Sequence, residues 1–155
     1  WHGRLRPMLD ALDAGFREAE QDGLPPVGLC VSLLRTQTAA QAVELVETLS
    51  AWRHPRVVAL SVDGNEATAG RTGPRFAEAF RRAGQAGLKR TVHAGESSGP
   101  EGVRDAIEAV SSAQGEVTEG QQRKAAANTA VVDAVGFRAA RVNDLVVLDQ
   151  RGWFQ

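Results

Sequence analysis

Apolar residues along this 155-residue chain recur in two alternating rhythms. Leu9, Leu12, Phe16 and Ala19 fall three or four apart, which is one face of a helix, and Gly23 stands where such a helix stops. The spacing predicts a helix over 9–22. Pro25 and Pro26 break it, and the short apolar run from Val27 to Leu34 has the pattern of a strand covered on both faces. Thr38 can cap a second helix, whose face is Ala42, Leu45, Val46 and Leu49 and which Trp52 closes before His54-Pro55. Val57 to Val62 repeats the strand pattern and runs into a polar, glycine-bearing loop over 63–73. A third helix is expected over 74–85, with Phe76, Ala77 and Phe80 inward and Gly87 as its stop. A third strand follows at Leu88 to His93, and Gly99-Pro100 opens a fourth helix with Val103, Ile107 and Val110 on its face.

Strand starts near 27, 56 and 88 lie roughly thirty residues apart, the length of a strand and helix that return to a parallel neighbour. The fold class is therefore α/β, with about three consecutive βα units. Such units build either an open doubly wound sheet or a (β/α)8 TIM-type barrel, and both place their chemistry in the loops beyond the strand C-termini. Those loops are 35–38, 63–73 and 94–99. After about Ser112 the rhythm ends, so residues 1–112 form one unit and 113–155 a tail, with a helix expected over 124–135 and a strand at Leu145 to Leu148.

Composition narrows the class. With 43% hydrophobic and 24% charged residues, the chain has the profile of one soluble globular domain, and its longest apolar runs fall short of a membrane span. A net charge of -1, with both signs intermixed, gives no footprint for nucleic acid or an anionic membrane. A lone cysteine, Cys30, forms no internal disulfide and fits a reducing cytoplasm; on a strand it is expected to be a small buried residue. Trp1-His2-Gly3-Arg4 does not read as a natural start, so the chain is expected to begin within a longer protein.

The candidate chemistry sits at the end of the third strand. Val92-His93-Ala94-Gly95-Glu96 puts an imidazole on the last strand residue and a carboxylate three residues on, across a glycine. A rigidly held His can give a nitrogen to a divalent metal, and a nearby Glu can move a proton to or from a bound water or a ring nitrogen. The two side chains alone fit a structural or solvated pair equally well.

The surrounding residues add more. Arg90-Thr91-Val92-His93-Ala94-Gly95-Glu96, followed by Gly99-Pro100-Glu101 and a helix, resembles the adenosine deaminase family of zinc hydrolases. So does the unit before it, Val57-Val58-Ala59-Leu60-Ser61-Val62-Asp63-Gly64-Asn65-Glu66, where the family carries an apolar run ending in Gly-Asp-Glu. The resemblance covers roughly residues 8–110. It implies a (β/α)8 barrel that deaminates adenosine or a related aminopurine through a zinc-bound hydroxide. It further implies that His93 is a zinc ligand, Glu96 the acid that protonates the purine ring, and Gly64 a backbone contact to the purine. Ser61 stands where the family has Asp, and Asn65 replaces the Asp of Gly-Asp-Glu.

The family's other zinc ligands, a His-x-His pair and a later Asp, have no counterpart in the sequence, and neither has its water-positioning His. His54, before a proline at a turn, is expected to be solvated, and His2 to belong to a loose terminus. A complete barrel needs about 250 residues, so the chain is expected to be a catalytically incomplete segment that holds zinc weakly or not at all. Its expected partner is a purine nucleoside or aminopurine, with self-association through open sheet edges. The rival reading is a noncatalytic α/β binding or assembly module whose residues 111–155 cover those edges.

Overall fold

Pro25-Pro26, Pro55 and Gly87 each end a helical stretch and release the chain into a strand. The computed structural model describes residues 3–111 together with two strand segments at 139–142 and 145–148. Its elements are α1 (Leu5–Gln21), β1 (Leu29–Leu34), α2 (Ala39–Trp52), β2 (Val57–Asp63), α3 (Glu66–Ala69), a 3-10 turn at Pro74–Phe76 leading into α4 (Ala77–Gln85), β3 (Lys89–His93), α5 (Pro100–Ser111), β4 (Ala139–Val142) and β5 (Leu145–Leu148). The three expected βα units are present. Helix α1 starts four residues before the predicted point, because Leu5 joins the core and Pro7 sits in the first turn, where its missing N–H breaks no helical bond. Helix α2 begins with a reciprocal cap. Thr38 Oγ1 accepts from the Gln41 N–H at 3.2 Å, and Gln41 Oε1 accepts from the Thr38 N–H at 2.9 Å.

The sheet runs in the order β1-β2-β3-β5-β4. β1, β2, β3 and β5 are mutually parallel, and β4 lies antiparallel to β5. The three parallel strands β1, β2 and β3 with their alternating helices are arranged like part of a TIM-type barrel, from which the antiparallel β4 departs. Leu33, Leu60, Val62 and Val92 point to the helix side, against Val46 of α2, Phe76 and Phe80 around α4, and Ile107 and Val110 of α5. Each fully buried side chain of this kind contributes about 1.5–3 kcal/mol. Arg56, just before β2, ties α1 to the sheet. Its guanidinium donates to both carboxylate oxygens of Glu20, at 2.5 and 2.9 Å, and to Asp13.

Three expectations need correction. β1 is not covered on both faces: it begins at Leu29, forms the edge of the sheet, and buries only Leu33 fully, so Cys30 is exposed. His54 is not solvated. It is buried, its ring meets the Trp52 ring edge-on with centroids 4.9 Å apart, and Nδ1 accepts from the Arg56 N–H at 3.3 Å. The loop over 63–73 is not all irregular. Asn65 Oδ1 caps α3, accepting from the N–H groups of Ala67 and Thr68 at 2.9 and 3.3 Å.

The strand expected at 145–148 is present as β5, beside β3, whereas β4 had no clear sequence pattern. The helix expected over 124–135 lies outside the described residues.

Among the described residues β1 pairs only with β2, and Met8, Leu12, Leu24, Val27 and Leu34 expose large apolar side chains on or near that end of the sheet. We propose that the chain self-associates through this edge. Light scattering coupled to gel filtration should give a mass above that of a monomer. A monodisperse monomer would show that the edge is covered within the chain.

Candidate functional site

Parallel register assembles the site. Leu34 pairs with Asp63, and the β2–β3 pairs Ala59–Lys89 and Leu60–Arg90, carried forward, bring Asp63 beside His93. By strand alternation the face away from the helices carries Ser61, Asp63, Thr91 and His93, a polar set. Leu34, paired with Asp63, lies on this same face and is exposed.

His93 ends β3 with its ring between two carboxylates. Nε2 lies 3.3 Å from Asp63 Oδ1, and Nδ1 lies 3.4 Å from Glu96 Oε1. The His93 and Glu96 side chains are 27% and 23% exposed, so both are held yet reachable by a small molecule. A cleft of about 490 Å³ opens over them, lined by Asp63, Gly64, Asn65, Glu66, Ala67, His93, Glu96 and Ser97. All three residues singled out from the sequence, Gly64, His93 and Glu96, border this one cleft. A larger hollow of about 630 Å³ lies between α1 and α2, but its lining, which includes Leu5, Leu45 and Trp52, lacks a comparable cluster of titratable groups.

The glycine between His93 and Glu96 has a steric cause. Gly95 sits at φ +77°, and a Cβ there would lie 2.8 Å from both the Gly99 carbonyl oxygen and Val103 Cγ2. Only glycine lets the chain turn tightly enough to bring Glu96 back against the imidazole. Gly102 serves the same packing. A Cβ on it would come within 2.9 Å of Glu66 Oε1 and 3.1 Å of the Gly95 nitrogen.

Two residues that sequence reasoning left without a role organise the cleft. Glu66 is 3% exposed, and its carboxylate accepts from the N–H groups of Gly95, Ser97 and Ser98 at 3.2, 2.8 and 3.1 Å, and from the Ser97 hydroxyl at 3.3 Å. Burial pushes its pKa up, but these hydrogen bonds, led by that from Ser97, outweigh it and leave the carboxyl below its ordinary value. Arg35, at the end of β1, is the other. It is 1% exposed and donates to backbone carbonyls at the ends of β2 and β3. The Gly-Asn-Glu run had marked Glu66 only as part of a motif. Arg35 begins the 35–38 loop that was expected to carry chemistry, but nothing in the sequence singled it out.

His93 suits one coordination bond, since it is fixed by a strand and oriented at Nδ1. One imidazole with neighbouring carboxylates falls short of a zinc centre, and among the described residues no group of three or more His, Cys, Asp or Glu side chains could hold a metal ion. The residues present therefore do not constitute a zinc site by themselves.

A family model for adenosine deaminase matches residues 5–114. The chain is 35% identical over 105 residues to an adenosine deaminase of Pectobacterium atrosepticum, covering 68% of this chain and 29% of that protein. It is 30% identical over 104 residues to an adenine deaminase of Rhodopseudomonas palustris, covering 67% and 29%. Among solved structures, an amidohydrolase from Burkhoderia ambifaria with bound Zn superposes with a TM-score of 0.60 at 29% identity, over 66% of this chain and 28% of the other. An adenine deaminase from Arthrobacter aurescens shares the fold with a TM-score of 0.57 at 23% identity, over 75% and 37%. The chain thus spans about 29% of the length of the curated relatives it matches.

Replacing Glu66 by Gln sets an amide donor against backbone N–H groups and should cost about 1–3 kcal/mol, read as a lower denaturation midpoint. Because the folded-state pKa of Glu66 is depressed, its stabilisation is complete above the ordinary value of 4.5 and is lost as pH falls through the lower folded value. The gap between wild type and Glu66→Gln should therefore be widest near neutral pH and close in acid. Denaturant titrations of both proteins across that range would show it.

Proposed function

The chain belongs to the adenosine deaminase family, and from that premise we propose that it is the segment of an aminopurine deaminase that handles the ring proton and supplies one metal ligand. The observation that carries this reading is the meeting of His93, Glu96, Asp63 and Gly64 at one cleft beyond parallel strand ends. That is where βα-barrel enzymes keep their chemistry.

Hydrolytic deamination replaces an exocyclic amino group with oxygen from water and releases ammonia. In this proposal Glu96 gives a proton to the purine ring nitrogen, which raises the electrophilicity of the adjacent carbon. Its position against His93 Nδ1 fixes the direction of that transfer. Gly64, at φ +112°, presents backbone rather than a side chain to the purine edge. His93, whose Nε2 faces Asp63 at the cleft, would be the residue of this segment to hold a zinc ion, the metal bound in the Burkhoderia neighbour, which would supply an activated water. The remaining ligands would have to come from barrel units beyond those described, so the isolated chain should turn over little or no substrate. The substrate is an adenosine-type aminopurine, adenine and adenosine both occurring among the relatives' names. We place the reaction in the cytoplasm, where a lone Cys30 remains reduced. The noncatalytic alternative offers no reason for an imidazole held between two carboxylates at an open cleft.

A panel of aminopurines tested on a complete deaminase carrying this segment should release ammonia, and Glu96→Gln should lower kcat by about 10²- to 10⁴-fold. If no aminopurine yields ammonia, the reading fails. The purified 155-residue chain, dialysed and analysed for metal, should carry well under one zinc per molecule. A stoichiometric zinc lost on His93→Ala would reveal further ligands within this chain.

A further inference from the structure

Arg35 is the bulkiest of the fully buried side chains, and a cation is an expensive group to bury unless its donors are matched. Its partners are unusual. Nε donates to the Gly64 carbonyl at 2.9 Å, Nη1 to Thr72 Oγ1 at 2.6 Å, and Nη2 to the His93 carbonyl. The Arg35 N–H also donates to the Asp63 carbonyl at 2.8 Å, and its own carbonyl accepts from Arg75 Nη2 at 2.6 Å. Among the described residues no carboxylate pairs with this guanidinium. The carbonyls at a strand's C-terminal end have run out of ladder partners, and the charge of Arg35 is spent on two of them. They belong to Gly64 and His93, which border the cleft.

We propose that Arg35 is a positioning residue: its planar fork ties the ends of β2 and β3 together and so fixes the direction in which the His93 ring and the Gly64 backbone enter the cleft. Thr72 is the third point of the clamp. It is fully buried, and its hydroxyl, which accepts from Arg35, also lies 3.5 Å from the His93 carbonyl. Lysine would keep the charge but not the geometry, because a single nitrogen cannot reach two carbonyls and a hydroxyl in one plane. The proposal rests on the deaminase reading only in giving the aim of His93 a purpose.

Nitrogen-resolved NMR of the imidazole rings tests it on the full 155-residue chain. The sequence has three histidines, and His93→Gln identifies the relevant signals by their loss. Arg35→Lys and Arg35→Met should shift or broaden the His93 ring resonances while those of His54 stay in place. Thr72→Val, which removes one point of the clamp with little change in volume, should move the His93 resonances less and in the same direction, and it decides the matter if the Arg35 variants do not fold. Val46→Ala loosens the core at a fully buried position on α2 and should leave the His93 resonances where they are. His93 resonances unchanged in the folded Arg35 and Thr72 variants, or changed equally by Val46→Ala, would overturn the assignment. No ammonia release by the complete deaminase carrying this segment, alongside these shifts in the 155-residue chain, would sink only the deaminase reading, and normal release by that enzyme with unmoved resonances would sink only the role of Arg35.

Discussion

The Glu66 carboxylate makes one site out of two βα units. Parallel strands bring 63–66 and 93–98 side by side, but register alone leaves the second loop free to swing. Three backbone N–H groups, those of Gly95, Ser97 and Ser98, point at a single buried carboxylate. Charge-assisted bonds of this kind are about twice as strong as neutral ones. The carboxylate also closes off alternatives, because those amides cannot be left unpaired away from water without cost. With the loop pinned on both sides of Glu96, that side chain has a defined path back to the imidazole.

Glu66 and Arg35 are complementary solutions to one problem. Beyond the last ladder bond of a parallel strand, carbonyls and amides both lack partners. Here the buried cation takes carbonyls and the buried anion takes amides, and the two sit on different units of the same mouth. Neither requires the other as a salt-bridge partner, so both charges remain directed at backbone. A rigid mouth built from backbone bonds tolerates substitution of the side chains that face the cleft. Ser61, which is buried, and Asn65, whose oxygen caps α3, take no part in the bonds that hold it.

Periodicity made the strand–helix order legible because parallel strands of this kind are buried runs and the helices have one apolar face each. The His93-to-Glu96 motif was legible for a different reason, its resemblance to a known family, and the structure adds why its glycine is needed, since a Cβ on Gly95 would meet Gly99 and Val103. What stayed hidden has a common cause. A histidine before a proline at a turn is read as solvated, as His54 was, while Arg35 and Glu66 drew no role from the sequence; for all three the partners are backbone groups or a ring supplied by the fold. Cys30 erred in the opposite sense, because an apolar run does not reveal whether its strand is central or at the edge.

The rigidity of this mouth contrasts with its incomplete chemistry. A carboxylate that transfers a proton gains only when a nucleophile arrives at the neighbouring carbon, and for water that demands activation which one imidazole cannot provide. Positioning is nevertheless well advanced among the described residues: the His93 ring lies beside Glu96 at Nδ1, its backbone is held by Arg35, and the loop after it is held by Glu66. The apolar core formed by Leu60, Val62, Phe76, Phe80 and Val92 holds the sheet to its helices, while these polar bonds are directed at the strand ends and the loops beyond them. Arg35 and Glu66 are buried at the C-terminal ends of the strands, and their bonds go to the backbone of the segments that frame the cleft, so the two charges act on the geometry of the cleft itself.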